Sequence, residues 1–181
     1  VTEQMAFLEM GTAELEVCQE RLDRAQWSSQ GPSRVELMYR PAAGLTARPL
    51  RRIASGGEAS RVMLACKVVL GDADGIDTLV FDEVDAGVGG ATAVALAQVL
   101  SHLAQSHQVI VVTHLAQVAV VGDRHYLVSK VGDAVPETTI EEISGDERVE
   151  EVARMLSGDQ TQTSLDHARE MLAAAASQKF R

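Results

Sequence analysis

Residues 78–90 read Thr78-Leu-Val-Phe-Asp-Glu-Val-Asp-Ala-Gly-Val-Gly-Gly90. The apolar run Leu79-Val80-Phe81 breaks off into Asp82 and Glu83, and a third acid, Asp85, follows two residues later. Continuous apolar strands alternating with helices indicate a parallel sheet covered on both faces. In such sheets ligands gather where the carboxyl ends of the strands meet their loops. Three carboxylates crowded at that place repel one another unless a cation sits among them. An apolar strand ending in Asp-Glu fits the divalent-metal site of a nucleotide hydrolase. Asp82 would hold Mg2+, directly or through water, and Glu83 would orient or deprotonate the attacking water. The same segment also reads as a solvated loop whose acids cap the helix that follows.

Upstream, Ser55-Gly56-Gly57-Glu58 opens a helix that runs to about Leu70 and stops at Gly71. Ser-x-x-Glu before an apolar helix is a capping box, in which Ser55 accepts from the Glu58 amide and Glu58 reaches back to the Ser55 amide. Two glycines in a first turn weaken a helix by about 1 kcal/mol each relative to alanine. They make more sense where a ligand must approach bare backbone amides. A serine hydroxyl, two unshielded amides and a helix N-terminus form an anion site suited to a phosphate. Both readings of the segment stand at this level. Downstream, a helix over 91–105 leads to the strand Gln108-Val-Ile-Val-Val-Thr113, which ends in His114. Adjacent parallel strands would place His114 at the same sheet edge as Asp82 and Glu83. A histidine there can bond a γ-phosphate or the catalytic water; a purely structural histidine is the plainer alternative.

The flanking segments read as follows. Residues 1–10 are the end of a helix, and 13–19 and 35–39 alternate apolar and polar as strands of a hairpin or meander. A short helix over 115–121 precedes strands over 125–131 and 137–143, and 147–180 forms two helices broken near Ser157-Gly158-Asp159. At 181 residues the chain holds one domain or part of a larger one. It carries 26 acidic against 16 basic residues, net −10, which argues against strong nucleic-acid binding by bulk electrostatics. No apolar run approaches the roughly 20 residues that span a membrane. The opening VTEQMAFLEM lacks both an initiator methionine and the pattern of a signal peptide, so a fragment or processed product is expected. Cys18 and Cys66 lie far apart in apolar-patterned segments and are expected as reduced, buried thiols in a cytoplasmic protein.

The order Ser-Gly-Gly-Glu plus helix, apolar strand plus Asp-Glu, Asp85, then strand plus Thr-His resembles the second half of an ABC-type ATPase head: signature motif, Walker B, D-loop and switch histidine. Ile53-Ala-Ser-Gly-Gly-Glu58, Ser60-Arg-Val-Met-Leu-Ala65, Phe81–Gly90, Gln108–Ala119 and Arg148–Gly158 narrow this to the C-terminal region of the RecN family. These are SMC-like ATPases of recombinational DNA double-strand-break repair. Ala59 and Ala116 stand where that family often has Leu and Pro. The resemblance implies an α/β fold, the C-terminal half of an ABC/SMC-type head, with a mostly parallel sheet flanked by helices and an antiparallel strand pair near the N-terminus. Residues 1–10 would end a coiled coil or approach the head, and 11–181 would form its C-terminal lobe. It further implies ATP and Mg2+ as cofactors, with Asp82 as metal ligand and Glu83 and His114 as catalytic groups. Ser55, Gly56, Gly57 and Glu58 would form the signature motif that meets the γ-phosphate held by a second head, and Asp85 would bridge the two sites.

An ATPase of this class needs a P-loop lysine preceded by glycine. The three lysines, Lys67, Lys130 and Lys179, follow Cys66, Ser129 and Gln178. The chain is therefore expected to be inactive alone and to need an N-terminal, P-loop-bearing half of the same protein plus a second head as a homodimer. DNA would be engaged through the complete protein, a recombinase is a possible partner, and the setting would be cytoplasmic and nucleoid-associated. The alternatives are a head fragment of another SMC or ABC ATPase, and a non-catalytic dimerisation or adaptor module on the same fold.

Overall fold

The computed structural model describes residues 1–53, 55–132 and 137–178. Ala54 of the Ala-Ser-Gly-Gly-Glu motif and the expected helix end near Phe180 lie outside the described residues. The chain divides into two compact units, residues 1–87 with 106–112, and residues 88–105 with 113–181.

The first unit starts with helix α1 (Thr2–Phe7) and the strands β1 (Glu14–Arg21) and β2 (Ser33–Arg40). These strands pair antiparallel along their whole length, from Glu14 opposite Arg40 to Arg21 opposite Ser33. Because strand side chains alternate between faces, Glu14, Glu16, Cys18 and Glu20 share one face with Arg34 and Arg40. Ion pairs on that face join Arg40 to Glu16 at 2.6 Å and Arg34 to Glu20 at 3.4 Å. Cys18 is therefore exposed, against the expectation of a buried thiol, because it points out with the charged row. A two-residue strand, β3 (Arg48–Pro49), which the sequence did not reveal, adds to β2.

Helix α2 (Gly56–Leu70) buries Val62, Leu64 and Ala65 and ends at Gly71. Strands β4 (Thr78–Phe81) and β5 (Gln108–Val111) pair in parallel, from Thr78 beside Gln108 to Phe81 beside Val111. Leu79 and Phe81 are buried, whereas Val80 is 65% exposed, as are Ile110 and Val112 in large part. One face of this pair is thus open, where cover on both was expected. The parallel pairing is confined to these two strands among the described residues; the other two sheets are antiparallel.

In the second unit, helix α3 (Gly90–Leu103) buries Ala93, Leu96, Ala97, Leu100 and Leu103 along one face and packs on α4 (Ala116–Ala119). Strands β6 (His125–Val131) and β7 (Glu137–Ile143) form an antiparallel hairpin. Helices α5 (Gly145–Ser157) and α6 (Gln162–Gln178) close a small core of Ala116, Val120, Val152, Ala153, Ala168 and Ala175. Gly158 ends α5 in the left-handed region (φ 75°), and its amide returns to the Arg154 carbonyl at 2.8 Å. Asp159 Oδ1 then accepts from Ser164 Oγ (2.7 Å) and the Thr161 amide (3.3 Å), fixing the entry to α6. Those bonds, the one from Ser164 foremost, hold the Asp159 carboxyl below its ordinary range.

Candidate functional site

The site is built where α2 begins and β4 ends. Ser55 has extended backbone and its side chain accepts from the Glu58 amide at 3.4 Å, the serine half of the expected capping box. β4 and β5 finish level, and the Val112 amide still donates to the Phe81 carbonyl at 2.9 Å. Asp82 and Glu83 leave the sheet at that edge, as the parallel register requires, and both are exposed.

The turn that follows is locked to the helix. Ser60 Oγ donates to the Asp82 carbonyl at 2.7 Å. Arg61 Nη1 donates to two further carbonyls of the turn, Val84 at 3.3 Å and Ala86 at 2.8 Å. The Ala86 amide closes the turn on the Glu83 carbonyl at 3.0 Å. Three carbonyls of residues 82–86 thus find donors in the second turn of α2. Sequence reading missed Ser60 and Arg61 as parts of the site. No sequence signal marks them, because their bonds go to backbone carbonyls that every residue carries.

Two further features are local to this junction. Glu83 has φ +56°, a left-handed backbone that costs a non-glycine residue about 1–3 kcal/mol and clusters at functional sites. Both glycines of the motif are crowded from the same side. A Cβ on Gly56 would overlap Glu83 Oε2, and one on Gly57 would lie 2.8 Å from the Ala86 Cβ and 3.1 Å from the Glu83 carbonyl oxygen. The glycines accordingly serve the close approach of α2 to the acidic turn, a reason for them besides ligand access. Behind the helix, Tyr39 is buried, which pushes its phenol up; the Glu58 charge adds to this and Arg61 opposes it.

The expected acids do not all converge. Asp85 is 3% exposed and partnered, so it lies inside the turn rather than on its surface. No three Asp, Glu, His or Cys side chains come together as a metal-ligand group among the described residues. That donor set does not suit a cation caged by protein. Mg2+ that keeps its waters needs only one or two carboxylates plus substrate phosphates, and Asp82 is an exposed carboxylate that could serve. His114 is exposed, follows β5 in the second unit and immediately precedes the turn into α4. There Thr113 Oγ1 accepts from the Leu115 amide at 3.0 Å.

No protein-family model matches the chain. It is 51% identical over 150 residues to the DNA repair protein RecN of Deinococcus radiodurans and 48% identical over 151 residues to that of Streptomyces coelicolor, 82% of this chain in each case. Over most of its length the chain is similar to RecN proteins. It spans 26% of the length of these curated relatives. Its fold is that of SMC heads. The Smc head domain with a coiled coil and joint from Pyrococcus yayanosii aligns over 97% of this chain and 28% of its own, with TM-score 0.56 and 21% identity. An SmcHead bound to the C-winged helix domain of ScpA aligns over 81% and 41%, with TM-score 0.52 and 22% identity. The α/β head fold expected for a RecN-type chain is therefore present, with an open sheet face where cover was expected.

Proposed function

We propose that this chain is the C-terminal half of an SMC-like ATPase head acting in recombinational repair of DNA double-strand breaks. It would complete a composite ATP site when two heads pair. The observation that carries the reading is the junction of α2 with the acidic turn, where the Ser55-Gly56-Gly57 helix start and the Asp82-Glu83 strand end form one hydrogen-bonded piece. The RecN-type sequence supports the repair setting and the head-like fold supports the ATPase class.

Each residue's work follows from its chemistry. Ser55 and the amides of Gly56 and Gly57 present a hydroxyl and a helix N-terminus to the γ-phosphate bound by another head's P-loop. Asp82 is the carboxylate toward Mg2+, which when bound neutralises charge developing on the phosphates. Glu83 accepts a proton from the attacking water or orients it. Glu58 holds the helix start, Asp85 shapes the turn beside the second site, and His114 reads the γ-phosphate. DNA, a second head and a P-loop-bearing half are the proposed partners, with the cytoplasmic nucleoid as the setting.

The test is Glu83→Gln in the complete protein. The variant should bind ATP as the wild type does while kcat falls by about 100-fold or more, in line with loss of a positioned general base. Turnover at the wild-type rate would remove Glu83 from this role. A non-catalytic adaptor would show neither nucleotide-dependent pairing nor any effect of the substitution.

A further inference from the structure

We infer that Arg61, assisted by Ser60, is a positioning residue for Glu83: it holds the acidic turn in the one conformation that aims the Glu83 carboxylate. The inference rests on the proposed hydrolytic role of Glu83 and adds the group that maintains it. Glu83 adopts a left-handed backbone at φ +56° that no side chain of its own stabilises by preference. Such a conformation persists only where its surroundings over-determine it. Those surroundings are the donors from α2. Arg61 Nη1 spans the Val84 and Ala86 carbonyls at 3.3 and 2.8 Å, and Ser60 Oγ holds the Asp82 carbonyl at 2.7 Å. The bonds bracket Glu83 on both sides, one carbonyl before it and two after.

The same bonds join Glu83 to the helix that begins with Ser55-Gly56-Gly57. A shift of α2 caused by a phosphate at its N-terminus would therefore carry the acidic turn with it. The guanidinium suits this task because its planar fork presents several donors from one rigid group, whereas an ammonium acts as a point charge. The bonds of Arg61 go to backbone carbonyls of the turn rather than to the Glu83 carboxylate. Its effect passes through the backbone of residues 82–86, where a misplacement of about 1 Å can cost about 100-fold in rate.

The experiment measures ATP turnover by the complete protein with Arg61→Ala, Arg61→Lys, Ser60→Ala and Glu83→Gln, each alone, and with Arg61→Ala combined with Glu83→Gln. Circular dichroism checks the fold of each. Arg61→Ala should lower kcat by about 10- to 100-fold with KM for ATP unchanged, the mark of a group that acts only on the chemical step. Arg61→Lys should restore part of that loss, and Ser60→Ala should produce a smaller loss of the same kind. The double variant should be no slower than Glu83→Gln, because both act through one carboxylate. Folded Arg61→Ala with kcat within about twofold of wild type, or a rise in KM at unchanged kcat, overturns the inference. If Arg61→Ala does not fold, Ser60→Ala decides by the same criterion. Wild-type turnover in Glu83→Gln would instead overturn the hydrolytic reading itself, and the inference with it.

Discussion

Glu83 sits in a left-handed conformation while its carboxylate lies against Gly56. Glycine reaches that backbone without the penalty, so Glu83→Gly should stabilise the chain by about 0.5–1 kcal/mol, a rise of about 1–4 °C in Tm, while removing the proposed general base. The two glycines of the signature segment should part company. A methyl on Gly56 meets only the end of the flexible Glu83 side chain, which can move aside. Gly56→Ala should therefore leave Tm within about 2 °C and still reduce turnover by displacing the carboxylate. A methyl on Gly57 meets the Ala86 Cβ at 2.8 Å and the Glu83 carbonyl oxygen at 3.1 Å, neither of which yields without moving the turn. Overpacking of this kind costs about 1–3 kcal/mol and outweighs the gain in helix propensity of about 1 kcal/mol at most. Gly57→Ala should thus lower Tm in thermal unfolding. A higher Tm for Gly57→Ala would mean that the helix and the turn are less tightly joined than their hydrogen bonds indicate.

Among the elements, α5 is tied to α4 by Arg148, whose Nη2 donates to the carbonyls of Ala119 (3.0 Å), Val120 (3.4 Å) and Gly122 (2.8 Å). These carbonyls lie at and just beyond the end of a short helix, where a cation is also favoured through the helix dipole. The nearby His125 is held below its ordinary pKa, first by burial and then by the Arg148 charge, with Glu151 opposing. A folded-state pKa below the unfolded one means that the unfolded chain binds the proton more readily. His125 therefore contributes stability that is present above the ordinary histidine pKa of about 6.5 and is lost as the pH falls through its lower folded value. Thermal unfolding between pH 7.5 and 5 should show Tm falling on acidification, and His125→Phe should flatten that slope; an unchanged slope would exclude His125 as its source. Helices and strands of this kind were legible in the sequence because their periodicities are strong. Ala93, Leu96, Ala97 and Leu100 mark one face of α3, and Gly71 and Gly158 mark helix ends. The strand β3 was not legible, since two residues carry no period, and Cys18 misled because the β1–β2 hairpin leaves both faces largely open, with Val17 and Val35 exposed on the other one.

For the molecule as a whole, the chain spans 26% of its RecN relatives and leaves Val80, Ile110 and Val112 on an open sheet face. The candidate site was legible in part. Ser55, Gly56, Gly57, Asp82 and Glu83 stand out because two glycines and two adjacent acids are costly unless something requires them. Arg61 and Ser60 did not stand out, because a residue that bonds only backbone carbonyls has no pattern in sequence. Asp85 reads as one of three clustered acids, yet folding turns it inward, a result set by turn geometry that spacing does not encode. None of the lysines Lys67, Lys130 and Lys179 follows a glycine, so on the proposed reading the phosphate-gripping P-loop is supplied by another segment. The most direct test is Mg2+-dependent ATP hydrolysis by this chain alone, and then mixed with a chain carrying the P-loop-bearing half. A composite head predicts activity in the mixture only, abolished by Glu83→Gln; hydrolysis by this chain alone, or silence in a mixture whose halves associate, would contradict it.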